Sequence, residues 1–164
     1  MADLFERFHS LKQHNETLRF YALVDGFQYT EYTRQRIQYR RGVNRPLLLR
    51  TEDEPLMHAG PWLIDVLEST DELSVIQALE FAVPSVSWMI TSVDLEGLAQ
   101  LLQLKLDAEL PDGRKALLRF YDPRVLGNLA RTLNADQRDE FFYLIDEWHF
   151  MYQGKRVMIG RSHA

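Results

Sequence analysis

Three aspartates, Asp25, Asp65 and Asp122, each end an apolar run. Carboxylates gathered at one sheet edge could exchange protons with a substrate or hold a divalent cation. The same residues have simpler uses. Asp25 precedes Gly26 as a turn residue would, and Asp122 stands before Pro123 as a helix cap would. The usual catalytic signatures are missing: the chain contains no G-x-S-x-G, H-E-x-x-H, P-loop or G-x-G-x-x-G pattern. No two of the five histidines stand at the helical i, i+4 spacing of a metal site, and the chain has no cysteine to supply a thiolate.

A second group of residues is basic. Arg34, Arg36, Arg40, Arg41 and Arg45 fall in twelve residues without an acid, with Tyr39 among them and Tyr29 and Tyr32 just before. Guanidinium forks beside aromatic rings suit an acidic protein surface or a nucleic acid. The alternative is a solvated helix face that offsets the acidic stretch from Glu52 to Glu72. With 19 Lys and Arg against 24 Asp and Glu, the net charge is −5, which favours protein over nucleic acid as the partner. A third group is RFYDPRV, residues 119 to 125. Here Arg124 is expected near the positive end of a helix dipole and needs a compensating carboxylate, from Asp122 or from a partner. Arg119, just ahead of the same turn, raises the same question.

The elements that must position these groups follow from pattern. TLRFYALVDG, residues 17 to 26, is apolar almost throughout and is expected to be a central strand covered on both faces. FQYTEYTRQRIQYRR, residues 27 to 41, lacks strand alternation and reads as a polar, largely exposed helix. PLLLR (46 to 50) and PWLIDV (61 to 66, with Trp62), separated by the turn-like TEDEP, suit two short strands or one strand with an irregular approach. Ser69 and Glu72 have capping-box spacing ahead of a helix that Pro84 stops. SVSWMITS, with Trp88, is a strand, and Asp94 opens a helix with Leu95, Leu98 and Leu102 on one stripe.

LDAELPDGRKALLRFYD predicts an antiparallel hairpin over about residues 104–121, turning at Pro111, Asp112 and Gly113. Asp122 and Pro123 open a further helix. Asn134 and Gln137 cap another, in which Phe141, Ile145, Trp148 and Tyr152 recur at helical spacing. QGKRVMIGR reads as a last edge strand. Near its N-terminus Leu4, Phe8 and Leu11 share one helix face. The expected fold is therefore α+β: one domain over residues 1–164, a mixed sheet with a hairpin, packed amphipathic helices and a C-terminal helical lobe. With no signal-peptide pattern and no run of about 18 apolar residues, the expectation is a cytoplasmic chain without a membrane span.

YALVDGFQ (21 to 28), PWLIDV, the Trp88 strand with DLEGLAQLLQLKL, and LPDGRKALLRFYDPRVLGNLARTL with FFYLIDEW together resemble the adaptor-chaperone domain of bacterial type VI secretion systems. These are the small DUF-type Tap or Tec adaptors. The resemblance runs in order over about residues 17–150. It implies a cofactor-free, non-enzymatic chaperone that binds a toxic effector and loads it onto a VgrG-type spike, with no nucleic-acid or membrane partner. A small hydrolase using the strand-end carboxylates and a toxin-neutralising immunity protein are the alternatives. By the resemblance, Asp25, Gly26 and Gln28 match the family's turn, and Arg119, Phe120, Tyr121, Asp122, Pro123 and Arg124 match its second motif. These positions define the fold first and contact partners second. Two departures stand out: Phe27 replaces a small residue, and the following segment is arginine-rich where the family is more apolar. That surface would suit a particular effector, as would the variable last dozen residues.

Overall fold

The computed structural model describes residues 2–48, 54–109 and 112–160. Its centre is a six-stranded sheet in the order β2-β3-β1-β4-β7-β8. The strands are β1 (Arg19–Asp25), β2 (Asn44–Pro46), β3 (Pro61–Asp65), β4 (Val86–Thr91), β7 (Glu147–Tyr152) and β8 (Lys155–Gly160). The α+β class stands, but every neighbouring pair is antiparallel, so the expected mixed sheet is corrected. β1 is central, as its unbroken apolar run required, and all of it after Arg19 is buried.

Alternation along the strands builds two cores. Phe20, Ala22 and Val24 of β1 join Trp62, Ile64, Trp88 and Ile90 under α1 (Ala2–His14), α2 (Gly26–Thr33) and α4 (Thr70–Ala82). Leu4 and Phe8 of α1 lie in that core, with Leu11 packed against it. Tyr21 and Leu23 point the other way and meet Leu98 and Leu102 of α5 (Leu95–Leu106), Leu126 of α6 (Pro123–Thr132), and Trp148 and Phe150. Asp94 caps α5 through a 2.8 Å bond to the Gly97 amide.

Several expectations are revised. The polar helix after β1 ends at Thr33, and Arg34 takes a left-handed φ of 62°, so residues 34–43 form a loop rather than a helix face. A short helix, α3 (Glu54–Ala59), stands where part of the TEDEP turn was expected; residues 49–53 lie outside the described residues. Ser69 makes no side-chain cap, and Glu72 turns to Arg40 instead of closing a capping box. The hairpin is present but short: α5 continues to Leu106, leaving β5 (Asp107–Glu109) and β6 (Lys115–Leu117). Gly113 has the expected positive φ of 86°, while Pro111 lies outside the described residues.

The helical lobe is corrected at its end. Asn134 and Gln137 do form a capping box for α7 (Ala135–Phe141), but the helix stops there. Leu144 adopts φ 67°, and Trp148 belongs to β7, inserted between β4 and β8. Local helical spacing lost to a segment, EWHFMY, whose aromatics suit a pleated surface and whose alternation puts Trp148 and Phe150 in one core. The edge-strand reading of the tail holds as β8. Among the described residues no helix is long and apolar enough to cross a membrane.

Candidate functional site

The junction of β1 and α2 is built on contact. The Asp25 carboxylate accepts hydrogen bonds from the Phe27 and Gln28 amides at 3.0 and 3.3 Å, capping α2. The Gly26 amide donates to the Gly60 carbonyl at 2.9 Å. A Cβ on Gly26 would sit 2.1 Å from the His58 carbonyl oxygen and 2.6 Å from that of Gly60, so only glycine fits. Trp62, beside it, is fully buried, as is Trp88. Burial pushes the Asp25 carboxyl up, while the two amides and, more weakly, Arg119 hold it down. Phe27, in contrast, is half exposed.

The 119–124 turn is self-contained. Asp122 caps α6 through the Arg124 amide at 2.9 Å, with Pro123 at the first helical position. The same carboxylate takes the Arg124 guanidinium at 3.1 and 2.8 Å, which answers the cation near the helix start from within the chain. Arg119 donates to the Tyr121 hydroxyl at 3.2 Å and lies 5.7 Å from that ring. Tyr121 is buried, which raises its phenol. Asp25, Arg119, Tyr121 and Asp122 influence one another electrostatically, so the two motifs meet at one end of the sheet.

Asp65 does not join them. β1 and β3 are antiparallel, with Asp25 opposite Pro61 and Asp65 opposite Tyr21. Four residues of strand, about 13 Å, separate the two positions. Asp65 instead accepts from the Leu67 amide at 3.0 Å, and burial raises its carboxyl. Among the described residues no three His, Asp or Glu side chains gather as a cation site would need. The three strand-end carboxylates are two helix caps and one turn residue.

The basic segment is held firmly although it is not a helix. Ile37 is buried in the core, and Asn44, also buried, receives the Arg40 amide at 2.9 Å and donates to the Gln38 carbonyl at 2.9 Å. Arg40 pairs with Glu72 at 3.2 Å and Arg45 pairs with Glu96. Of the five arginines, Arg40 thus meets the acidic stretch, at Glu72, while Arg45 pairs outside it. Arg36 and Arg41 are exposed and have no ion pair among the described residues. Tyr32 and Tyr39 are half exposed, whereas Tyr29 is buried against the core.

One polar cluster was missed in the sequence. Glu80 of α4 is buried; it accepts from the Trp88 indole and both terminal nitrogens of Arg156, all at 2.7 Å. Nearby, Glu147 accepts from Arg7 at 2.9 and 3.1 Å, with His149 Nε2 at 3.5 Å from the same carboxylate. Burial lowers the His149 pKa below 6.5 more than Glu147 raises it. These residues come from α1, α4, β4, β7 and β8, so apart from Glu147 and His149 on one strand no local spacing links them.

Residues 20–140 match the model of a family described as a domain of unknown function, DUF4123. No curated protein and no solved structure matches the chain. The matched stretch ends within α7, before the two strands that complete the sheet.

Proposed function

This chain belongs to the DUF4123 family, and we propose that it is an adaptor-chaperone that binds a type VI secretion effector and loads it onto a VgrG-type spike, without catalysis of its own. The observation that carries this reading is the family match itself, since DUF4123 is associated with type VI secretion effectors. The geometry is compatible: Asp25 and Asp122 are occupied as helix caps, and the exposed arginines and tyrosines of residues 32–41 have the composition of an interface core. A bridge between spike and toxin needs a stable scaffold with adhesive faces rather than a reactive centre.

The test is genetic and biochemical. The chain should co-purify with a toxin encoded beside it, and its deletion should stop delivery of that toxin while other effectors still leave the cell. Loss of all secretion, or of none, overturns the reading. Co-expression separates the immunity alternative: a neutralising protein rescues cells from the toxin, whereas an adaptor raises the toxin's solubility.

A further inference from the structure

The loop that follows α2 is ordered by its own bonds yet presents cations that are unpaired among the described residues, Arg36 and Arg41, or loosely paired, Arg34. It starts at Arg34, whose amide closes α2 onto the Thr30 carbonyl at 2.7 Å in a left-handed conformation. That position is the usual place for glycine, because a Cβ is disfavoured there. The chain keeps a long cation instead, its side chain 82% exposed and only 3.9 Å from Glu31. Just before it, the Thr33 hydroxyl donates back to the Tyr29 carbonyl at 2.8 Å and accepts from the Gln35 amide at 3.1 Å. Ile37 anchors the middle, and Asn44 clamps the end. Arg34, Arg36 and Arg41 therefore project from a backbone that needs little further ordering on contact, with Tyr32 and Tyr39 half exposed beside them. Pre-ordering removes an entropic cost of binding that a free loop would bear.

We propose that residues 32–41 form a pre-ordered docking surface for an acidic segment of a protein partner, read by Arg34, Arg36 and Arg41 with Tyr32 and Tyr39 as flanking rings. Charge complementarity selects that occupant. The stretch 34–45 contains five arginines and no acid, and only Arg40 and Arg45 are satisfied by strong pairs within the chain. A nucleic acid is the weaker fit, since the chain carries a net charge of −5 and has no global basic field to hold an extended polyanion. The inference deepens the adaptor reading by naming the chemistry of one of its partners, and rests on that reading only for the partner's identity.

The probe is a fluorescein-labelled peptide of alternating Glu, Asp and Tyr, titrated with the full chain by anisotropy, with a peptide carrying Gln and Asn instead as its control. The expected result is binding of the acidic peptide alone. It should weaken between about 50 and 500 mM NaCl and fall about tenfold or more in the Arg36→Glu, Arg41→Glu double variant. Arg34→Gly should weaken binding while leaving the melting temperature unchanged or higher, a combination that a merely structural arginine would not produce. Equal binding of the amide peptide, an undiminished double variant, or tighter binding of oligo-dT than of the acidic peptide overturns the proposal. A chain that binds the peptide through these arginines but captures no type VI toxin supports this surface and overturns the adaptor reading.

Discussion

Arg156 of the edge strand grips Glu80 of α4 through two bonds of 2.7 Å, one from each terminal nitrogen to a separate carboxylate oxygen. The Trp88 indole donates to the same carboxylate, also at 2.7 Å, so one buried acid ties a helix to a central strand and to the sheet edge. Replacing Glu80 by Ala strands a guanidinium and an indole N–H together. The expected loss is about 3 kcal/mol, because removing one partner leaves the other uncompensated. Urea unfolding reads it as a lower midpoint at unchanged slope, and a midpoint equal to the parent's would contradict the assignment.

Gly26→Ala tests the close approach at the start of α2. The added Cβ meets two backbone carbonyls, His58 at 2.1 Å and Gly60 at 2.6 Å, neither of which can rotate aside as a side-chain tip could. A loss of about 3 kcal/mol is expected. Circular dichroism melting measures it, with Gly113→Ala as a comparison at a glycine that has open space but a positive φ of 86°.

Asp122→Ala removes the cap of α6 and the partner of Arg124 in one step. Because Arg124 is mostly exposed, the cap dominates, and stability should fall by about 1 kcal/mol. Arg124→Ala should cost less, within about 0.5 kcal/mol, as exposed pairs do. The order of the two values, read from the same denaturant series, is the prediction.

His149 makes stability depend on pH in a defined direction. Burial lowers its pKa in the folded chain from 6.5; Glu147 opposes this, while Arg156 and Arg7 reinforce it. Below about 6.5 the unfolded chain therefore binds the proton more readily, and stability falls as pH drops through that value towards the lower folded pKa. His149→Gln should flatten the decline. Denaturant midpoints taken between pH 7.5 and about 5 decide the matter, and equal slopes in both proteins would remove His149 from the account.

What the sequence revealed depended on whether the governing contacts were local. Asp94 with Gly97, Asn134 with Gln137, and Asp122 with Arg124 lie within three residues of each other, and each cap formed as its spacing indicated. β1 was legible because an unbroken apolar run can be satisfied only between two covered faces. Elsewhere distant partners decided. Glu72 abandoned its local cap for Arg40, and Arg34 ended a helix that the polar pattern would have continued. At Trp148 a helical spacing and a strand alternation coexisted in one stretch, and pairing with Met89 across the sheet selected the strand. At the site, the residue types of both motifs were visible, but their meeting at one sheet end came from topology. The separation of Asp65 from Asp25 followed from the antiparallel direction of β3, which no motif encodes.

The place of β7 has a consequence for how the chain is made. β4 leaves the ribosome long before its neighbour, with α5, the hairpin, α6 and α7 all emerging in between. Until Glu147–Tyr152 follow, a nascent chain carries Val86–Thr91 with one flank bare, and Trp88 and Met89 lie in that strand. Closure of the sheet thus waits for residues 147–160, and the interval before it is when the exposed flank of β4 is most open to pairing with the wrong neighbour.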